Sequence, residues 1–526
     1  MKNIFKNIFV VLIAGLVWGC DDALDINTDP NNPTSAPLGQ LLPSAQAAMA
    51  TTFGQNTGGV NNAAMTFAHQ VVNFRVDQYA LTGTSFSNDW ARIYASSLQD
   101  FEVIINEGTA SESWHYVGIA QIQKAFIFGI LVDLFGDVPY SEALLGGENF
   151  APIYDGGQSV YADLFLVLDD AIANLAKTST LSPSGDDVIY NGDLDAWRSL
   201  AKALKLKMYN NARMTSLYDG TAVNALIADA DLTALQDFQW NYGTGNAPEN
   251  RSLAFQTNWA AASREVSISP FFYQRMQALA DPRMNYYWYN QIGTGGAAQN
   301  PTDFADDTAD GLFVSFRFGA IGPTSSFDQR QSQSVLGLYP AGGAYNTTGG
   351  AGVGAAGGTD AAGTAPERFF TNYALQFVMA ELALEEGATG NAGDYFEAGI
   401  QAAFDKVNEV AGIVGGGAPS ISQATIDGYK TAQRTAFDGA SQSQQLDFIM
   451  QQKAIASFGW GIDSYSDIRR TGFPAIYDPN GDGSSDTQST RSFPVSYTYA
   501  DAELASNPNA PAQRTVATDK VFWDVN

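Results

Sequence analysis

Stretches with helical periodicity alternate with stretches that lack it along this chain. Where it is present, apolar side chains recur every three or four residues, which predicts amphipathic helices. These helices are predicted near residues 38–49, 90–105, 119–134, 164–175 and 197–212, and later near 371–386, 395–410 and 443–458. The run at 119–134 is the most apolar, so we expect it at the centre of the core. Gly136 fits its C-cap and Pro139 blocks its continuation, while Ser159 and Asp193 fit the N-caps of two further helices.

The segment at about 216–368 loses this periodicity and becomes rich in Gly, Asn, Ser, Thr and aromatic residues. Its run "GGAYNTTGGAGVGAAGGTDAAGTAP", residues 342–366, has too little apolar surface to form a helix or a core strand, which predicts a long loop. The pattern predicts a mostly α protein, and its length alone allows one to four domains. Paired antiparallel helices at about 38–215 and 370–460 pack with an irregular, loop-rich half that contains short strands.

The N-terminus has the layout of an export signal. Lys2 and Lys6 precede an apolar run at 8–18, and the small residue Gly19 comes just before Cys20. The run is shorter than the roughly 20 residues that span a bilayer, and no later segment is expected to approach that length. Residues 1–19 are therefore predicted to be a signal peptide.

Cys20 is the one cysteine in the 526-residue chain, so it cannot form an internal disulfide. We predict that the signal is cut before Cys20 and that this residue carries the acyl chains of a lipoprotein, which anchor a protein stably when several are attached. Residues 20–37, polar and proline-rich, are then a lipidated flexible tether. The alternative is an ordinary secretory signal with an incidental cysteine, since Trp18 departs from the small residue usual two positions before a lipidated cysteine.

Charge narrows the range of ligands. The chain has 27 basic and 55 acidic residues and a net charge of −28. This balance works against binding nucleic acid or anionic lipid, and it favours a neutral or cationic ligand.

The sequence offers few residues for catalysis or metal binding. The only histidines are His69 and His115, without a Cys/His cluster for zinc, a nucleophile elbow or a phosphate-binding glycine loop. His69 is expected to be a packed or capping group. A pair of carboxylates that cleaves glycosidic bonds remains an open alternative, because the spacing of residues in the sequence does not reveal their distance in space. No cofactor is predicted to be required.

One acidic segment resembles part of a calcium loop. "DPNGDGSSD" places candidate oxygen ligands at alternating positions and continues with Gly483 for a sharp turn. The candidate ligands are Asp478, Asn480, Asp482 and Asp486. Ser489 stands where a bidentate Glu is expected, so the alternative is a surface turn rich in Asx residues.

Several collinear motifs resemble one family. They are "DLFGDVPYSEAL" at 133–144, "DPR" at 281–283, "MAELALEEG" at 379–387, "SDIRRTGFP" at 466–474 and "FWD" at 522–524. Together they resemble the SusD/RagB family of nutrient-binding outer-membrane lipoproteins, in particular its SusD-like branch. Within these motifs, "FGDVPY" is expected to end a helix, and Arg469 and Arg470 are expected to be buried or interfacial partners in ion pairs.

The resemblance implies a single domain over residues 38–526, with a helical body of four degenerate TPR-like repeats and a less regular ligand-bearing half. It also implies a non-catalytic, cell-surface protein that acts as the lid of a SusC-like TonB-dependent transporter and delivers oligosaccharides or peptides. Two alternatives come from other classes: a surface all-α glycoside hydrolase that uses paired carboxylates, and a purely structural surface protein.

Sugar rings have apolar faces edged by hydroxyls, so a site for them needs aromatic platforms and short polar groups. Two regions combine these away from the core periodicity: Asn73, Arg75, Asp77 and Tyr79 in one, and Tyr242, Trp259, Tyr287, Trp288 and Tyr289 in the other. Four consecutive aromatics at 286–289 cannot all face one core in a strand whose side chains alternate. At least one of Tyr287, Trp288 and Tyr289 is therefore expected to face solvent, although core packing remains the alternative for each residue alone.

Overall fold

The structure is a computed structural model that describes residues 36–55, 58–73, 79–261, 264, 266–292, 313–315, 318, 333–476 and 492–525. Several predicted features lie outside these residues: Cys20 and most of its tether, Arg75 and Asp77, and the loop of Asp478, Asn480, Asp482 and Asp486. The lipidation and calcium predictions therefore stay predictions.

Helices dominate the described residues and confirm a mostly α fold. In chain order they are α1 Leu38–Phe53, α2 Val60–Phe67, α3 Ser87–Arg92, α4 Gln99–Ala110, α5 Trp114–Phe135, α6 Gly157–Leu175, α7 Leu194–Asn211, α8 Gly220–Ile227, α9 Ala230–Thr233, α10 Leu253–Phe255, α11 Pro270–Ala278, α12 Met284–Tyr287, α13 Leu338–Ala341, α14 Asn372–Glu385, α15 Ala392–Val414, α16 Gln423–Asp438, α17 Gln442–Ala456, α18 Gly461–Thr471 and α19 Asp501–Ser506. A π-helical segment, Ile93–Leu98, joins α3 to α4.

The strands are short and form antiparallel pairs. They are β1 Val71–Asn73 with β5 Val266–Ile268, β2 Val138–Pro139 with β3 Tyr154–Asp155, β4 Phe238–Trp240 with β8 Glu367–Phe370, and β6 Trp288–Asn290 with β7 Ser334–Leu336. The pairs β1–β5 and β4–β8 each join a strand near the helical body to one far along the chain. The pair β1–β5 joins the first helical part of the chain to the loop-rich part, and β8 leads directly into α14.

Helix α5 lies at the centre of the core and is packed by α4, α6 and α7. It ends at Gly136, whose φ of +80° suits glycine and whose N–H donates to the carbonyl of Val132 at 3.0 Å, as predicted. Among the described helices, α5 alone is long and apolar enough by composition to cross a membrane. The expectation that no later segment reaches this length is wrong. The helix is apolar because it is buried among other helices, with 83% of its most apolar window inside the protein.

Of the two predicted N-caps, one is confirmed and the other is wrong. Asp193 caps α7, because its Oδ1 accepts the backbone N–H groups of Asp195 and Ala196 at 3.0 and 3.1 Å. Ser159 lies inside α6, which begins two residues earlier. The carboxylate of Asp137, which follows α5 and lies 20 residues earlier in the chain, accepts the N–H of Gly157 at 2.8 Å and supplies the cap instead. Tertiary contact thus replaces the local signal at this helix start.

Helices α14, α15 and α17 appear where periodicity predicts them, within a few residues at each end, whereas α16 and α18 are absent from the sequence prediction. In α18 ten of the eleven residues are buried, charged ones included. Because most of its buried residues are polar or charged, no apolar run marks this helix in the sequence. Residues 342–366 contain no helix or strand, as predicted.

Two glycines of α5 are expected to respond in opposite ways to alanine. No heavy atom lies within 4 Å of a Cβ built on Gly129, so Gly129→Ala should stabilise the protein by about 1 kcal/mol, the helix-propensity difference. A Cβ on Gly118 would lie 2.9 Å from Leu175 Cδ2 and 3.0 Å from the carbonyl O of Ala171, so Gly118→Ala should destabilise it by about 1–3 kcal/mol. Urea unfolding of both variants checks this, and the same sign for both would contradict it.

Candidate ligand-binding site

The predicted aromatic site in the middle of the chain is buried. Exposed fractions are 0% for Tyr287, 0% for Trp288, 7% for Tyr289 and 2% for Trp259. The expectation that one of the consecutive aromatics faces solvent is wrong, because they do not form one strand: α12 ends at Tyr287 and β6 begins at Trp288. This change of backbone conformation lets all three side chains enter the core.

Each of these aromatics has a partner in the core. Tyr287 stacks on Tyr339 and Phe458, with ring centroids 4.8 and 5.2 Å apart. The indole N–H of Trp259 donates to the carbonyl of Leu336 at 2.7 Å. Tyr242 is half-buried beside Gly54, where an added Cβ would lie 3.2 Å from the Tyr242 hydroxyl. These residues stabilise the loop-rich half, and the four buried ones, Tyr287, Trp288, Tyr289 and Trp259, offer no exposed platform.

Tyr79, from the first predicted group, is also part of the core. It is 2% exposed, and its hydroxyl hydrogen-bonds to Nε2 of His69 at 2.7 Å. Burial, with a smaller contribution from Arg275, lowers the pKa of His69 to about 3. The neutral ring stacks on Phe318 with centroids 4.3 Å apart, which confirms His69 as a packed residue. Because the unfolded chain takes up a proton near pH 6.5 and the folded ring does not, His69 weakens folding as the pH falls below that value.

Asn73 lies at a cleft. This cleft has a volume of about 200 Å³ and is called the Asn73 cleft below. It is lined by residues from α2, the end of β1 and the segment before α3: Gly58, Asn62, Ala63, Thr66, Phe67, Asn73, Ala80, Leu81, Ser85 and Phe86. Sequence reasoning identified only Asn73 among them. Arg75 and Asp77, which follow it in the chain, lie outside the described residues.

Helix α2 forms one wall of the Asn73 cleft and is positioned by α18. The Asn61 side chain bridges two backbone groups, donating to the carbonyl of Gly459 at 2.9 Å and accepting the N–H of Gly461 at 2.8 Å. This fixes the rotation of α2, so Asn62 and Thr66, one turn apart, both line the cleft. The signal that the sequence prediction missed is the pair of asparagines in a mostly apolar helix. The amide of Asn61 holds the helix in place, and the amide of Asn62 lines the cleft.

The chemistry of this cleft suits binding. Its walls combine apolar side chains with short polar groups, and the Asn62 side-chain amide makes no hydrogen bond to any described residue. An amide offers both donors and an acceptor, the functions that hydroxyl groups require. None of the lining residues is Asp, Glu, His or Cys, and the described residues hold no cluster of three such groups that could bind a metal. The described lining of the cleft therefore contains neither a carboxylate pair nor a metal site.

The two arginines of "SDIRRTGFP" are buried, as expected. Arg469 Nη2 donates to the carbonyl of Asp133 at 2.7 Å, and its guanidinium lies 3.9 Å from the ring centroid of Tyr465. Arg470 forms ion pairs with Glu381 and Asp467. The motif therefore ties helices together, and none of its residues lines the Asn73 cleft.

Comparison with known proteins identifies the family. Residues 30–499 match the SusD-like family described as "Starch-binding associating with outer membrane". The match covers most of the chain, and the chain belongs to this SusD-like family. No curated protein matches it.

Solved structures share the whole fold at low sequence identity. A chitin-binding protein is 22% identical with a TM-score of 0.69, over 93% of this chain and 100% of that chain. A SusD/RagB family protein from Bacteroides thetaiotaomicron is 19% identical with a TM-score of 0.68, over 93% and 99%. A chitin-binding SusD homolog from Flavobacterium johnsoniae is 18% identical with a TM-score of 0.65, over 93% and 96%. At these identities the likeness shows the fold.

Proposed function

We propose that this protein is a nutrient-binding lipoprotein that captures neutral glycans at the outer-membrane surface without cleaving them. The observation that carries the proposal is the Asn73 cleft, whose unpaired Asn62 amide and apolar walls match a sugar's hydroxyls and ring faces. The starch-binding description of the family and the chitin-binding solved structures support the same ligand class. The net charge of −28 favours a neutral ligand over an anionic one.

Removing the Asn62 amide should weaken glycan binding without unfolding the protein. Asn62→Ala deletes a group that has no partner among the described residues, and a hydrogen bond to a sugar hydroxyl contributes about 1 kcal/mol, so we expect an affinity loss of about fivefold. Calorimetric titration with maltoheptaose and chitohexaose measures it.

The matched control is Gln423→Ala, which removes an exposed amide on α16. It should bind like the parent. Equal affinities for parent and Asn62→Ala, with both glycans bound, would place the site elsewhere. Binding of peptides in place of glycans would favour the peptide-binding alternative, and new reducing ends after incubation would favour the hydrolase.

The partner we propose is a SusC-like TonB-dependent transporter, with this protein as its lid. Family membership supports this, together with the association with the outer membrane in the family description. A lid needs an interface above roughly 1,000 Å², and the helical body has the rigid surface to supply it. A β-barrel protein of transporter size should co-purify with this protein in mild detergent. Its absence from purifications in several detergents would contradict the lid role.

Acylation of Cys20 is the proposed anchor. Cys20→Ala removes the acceptor for the acyl chains, and α5 is buried in the fold, so the variant should move from the membrane fraction to the soluble fraction. Cell fractionation with immunoblotting measures the shift. A variant that still sediments with membranes would show that another element holds the protein there.

A further inference from the structure

Phe150 is the most exposed aromatic residue that the structure describes. Its side chain is 85% exposed, and no other Phe, Tyr or Trp among the described residues falls in the exposed class. Every other described aromatic lies at least partly inside the protein. An isolated aromatic ring in water is a natural contact for a ligand with an apolar face.

The backbone around Phe150 is held in place. Nδ2 of Asn507 donates to the carbonyl of Pro152 at 2.8 Å, and Nδ2 of Asn509 donates to the carbonyl of Ala151 at 2.6 Å. The side chain of Asn149 accepts the N–H of Ala151 at 2.9 Å. These bonds tie the loop to the segment after α19, so the exposed ring stands on a fixed support.

Phe150 stands on the edge of a second cleft, with a volume of about 390 Å³, called the Phe150 cleft below. It is lined mainly by small apolar residues, with Trp90 and Tyr94 packed against each other in one wall at a centroid distance of 5.1 Å. Gln99 and Glu503 add polar groups to this lining. The Gln99 amide makes no hydrogen bond to any described residue, and Glu503 accepts one from Asn507 at 2.8 Å through Oε1.

These groups match the chemistry of a sugar. A pyranose presents C–H groups to a flat aromatic face and hydroxyls at its edge, where an amide donates and accepts hydrogen bonds and a carboxylate accepts them. Small alanine, glycine and proline side chains leave the cleft floor open to a ring. The volume falls within the usual range of about 300–1,000 Å³ for small-molecule sites.

The two clefts are neighbours in the fold. Phe86 lines the Asn73 cleft, and the next residue, Ser87, lines the Phe150 cleft. The segment that leads into α3 is also tied to α19, since the N–H of Asp501 donates to the carbonyl of Gly83 at 2.8 Å. The two clefts therefore share one wall segment, and a glycan chain long enough to contact both would gain affinity through effective concentration.

We propose that the Phe150 cleft is a second saccharide-binding site, in which Phe150 is the stacking platform and Gln99 and Glu503 bind hydroxyls, so that the protein prefers extended neutral glycans over short ones. This inference rests on the proposed glycan-binding function. The occupant is a neutral pyranose unit of a chain whose other units lie at the Asn73 cleft.

The test compares Phe150→Ala with the parent in the full mature chain. Affinity is measured by calorimetry for two pairs of probes: maltoheptaose with maltose, and chitohexaose with chitobiose. We expect Phe150→Ala to lose about tenfold in affinity for the long probe that binds, and to bind the disaccharide like the parent. Phe150→Tyr, which keeps the ring, should bind both probes like the parent. The control Leu166→Ala removes another exposed apolar side chain, 62% exposed on α6, and should change neither affinity.

The outcomes separate this inference from the proposed function. Parent-like binding of the long probe by Phe150→Ala would overturn the second site while leaving glycan binding at the Asn73 cleft in place. Unchanged glycan affinity together with loss of the co-purified membrane protein would overturn it in favour of a protein-docking surface. If the parent binds none of the probes, both the proposed function and this inference fail.

Discussion

Glu381→Ala is expected to lower the free energy of unfolding by about 3–5 kcal/mol, the cost of leaving buried charges without their partner. Glu381 is completely buried in α14 and faces two arginines: Oε2 accepts from Nη2 of Arg470 at 2.7 Å, and Oε1 lies 2.9 Å from Nη1 of Arg213. Asn210 donates to the same carboxylate at 2.7 Å. Truncation leaves both guanidinium groups buried, 5% and 1% exposed at their side chains, with one counter-charge fewer.

Urea unfolding of the mature chain measures the effect. The matched control is Asp169→Ala, which breaks an ion pair between Asp169 on α6 and Lys205 on α7. The Asp169 side chain is 56% exposed. Exposed pairs contribute about 0–1 kcal/mol, so this variant should stay close to the parent. If Glu381→Ala also stays within about 1 kcal/mol of the parent, the buried network does not stabilise the fold in the way described.

Gly461→Ala is expected to lower the free energy of unfolding almost as much as Glu381→Ala, in this case for a steric reason. A Cβ on Gly461 would lie 2.1 Å from the backbone N and 2.5 Å from the Cα of Met65 in α2. Backbone atoms cannot rotate away as a side chain does, so α2 and α18 must separate and strain the bridge made by Asn61. Overpacking costs about 1–3 kcal/mol where side chains can adjust, and we expect the upper end of that range or more here.

This substitution should also weaken glycan binding, because α2 carries Asn62 in the wall of the Asn73 cleft. Gly412→Ala is the matched control, since no atom lies within 4 Å of a Cβ at this position in α15. It should be neutral or slightly stabilising. Thermal unfolding and calorimetric titration of the two variants give both readouts, and an unchanged melting temperature for Gly461→Ala would refute the close contact of α2 with α18.

The sequence determined the features that depend on neighbouring residues. Helical periodicity located α1, α5, α7 and the later helices α14, α15 and α17, because burial of one face repeats every three or four positions. Local caps such as Gly136 and Asp193 were readable for the same reason. The family motifs, spread in order along the chain, indicated the SusD-like family that the match over residues 30–499 then showed.

Only the tertiary structure decided which side chains face solvent. The residues at 287–289 are buried because rings from distant segments cover them: Tyr339 and Phe458 pack on Tyr287, Phe458 on Trp288 and Trp259 on Tyr289. The Asn73 cleft joins α2 to the end of β1 and to residues 80–86, and Phe150 is exposed while most aromatics are buried. Exposure depends on which elements pack together, and a residue's type and its neighbours in sequence do not contain that information. For the same reason the partner of Arg470 is Glu381, 89 residues away, and no spacing rule could have paired them.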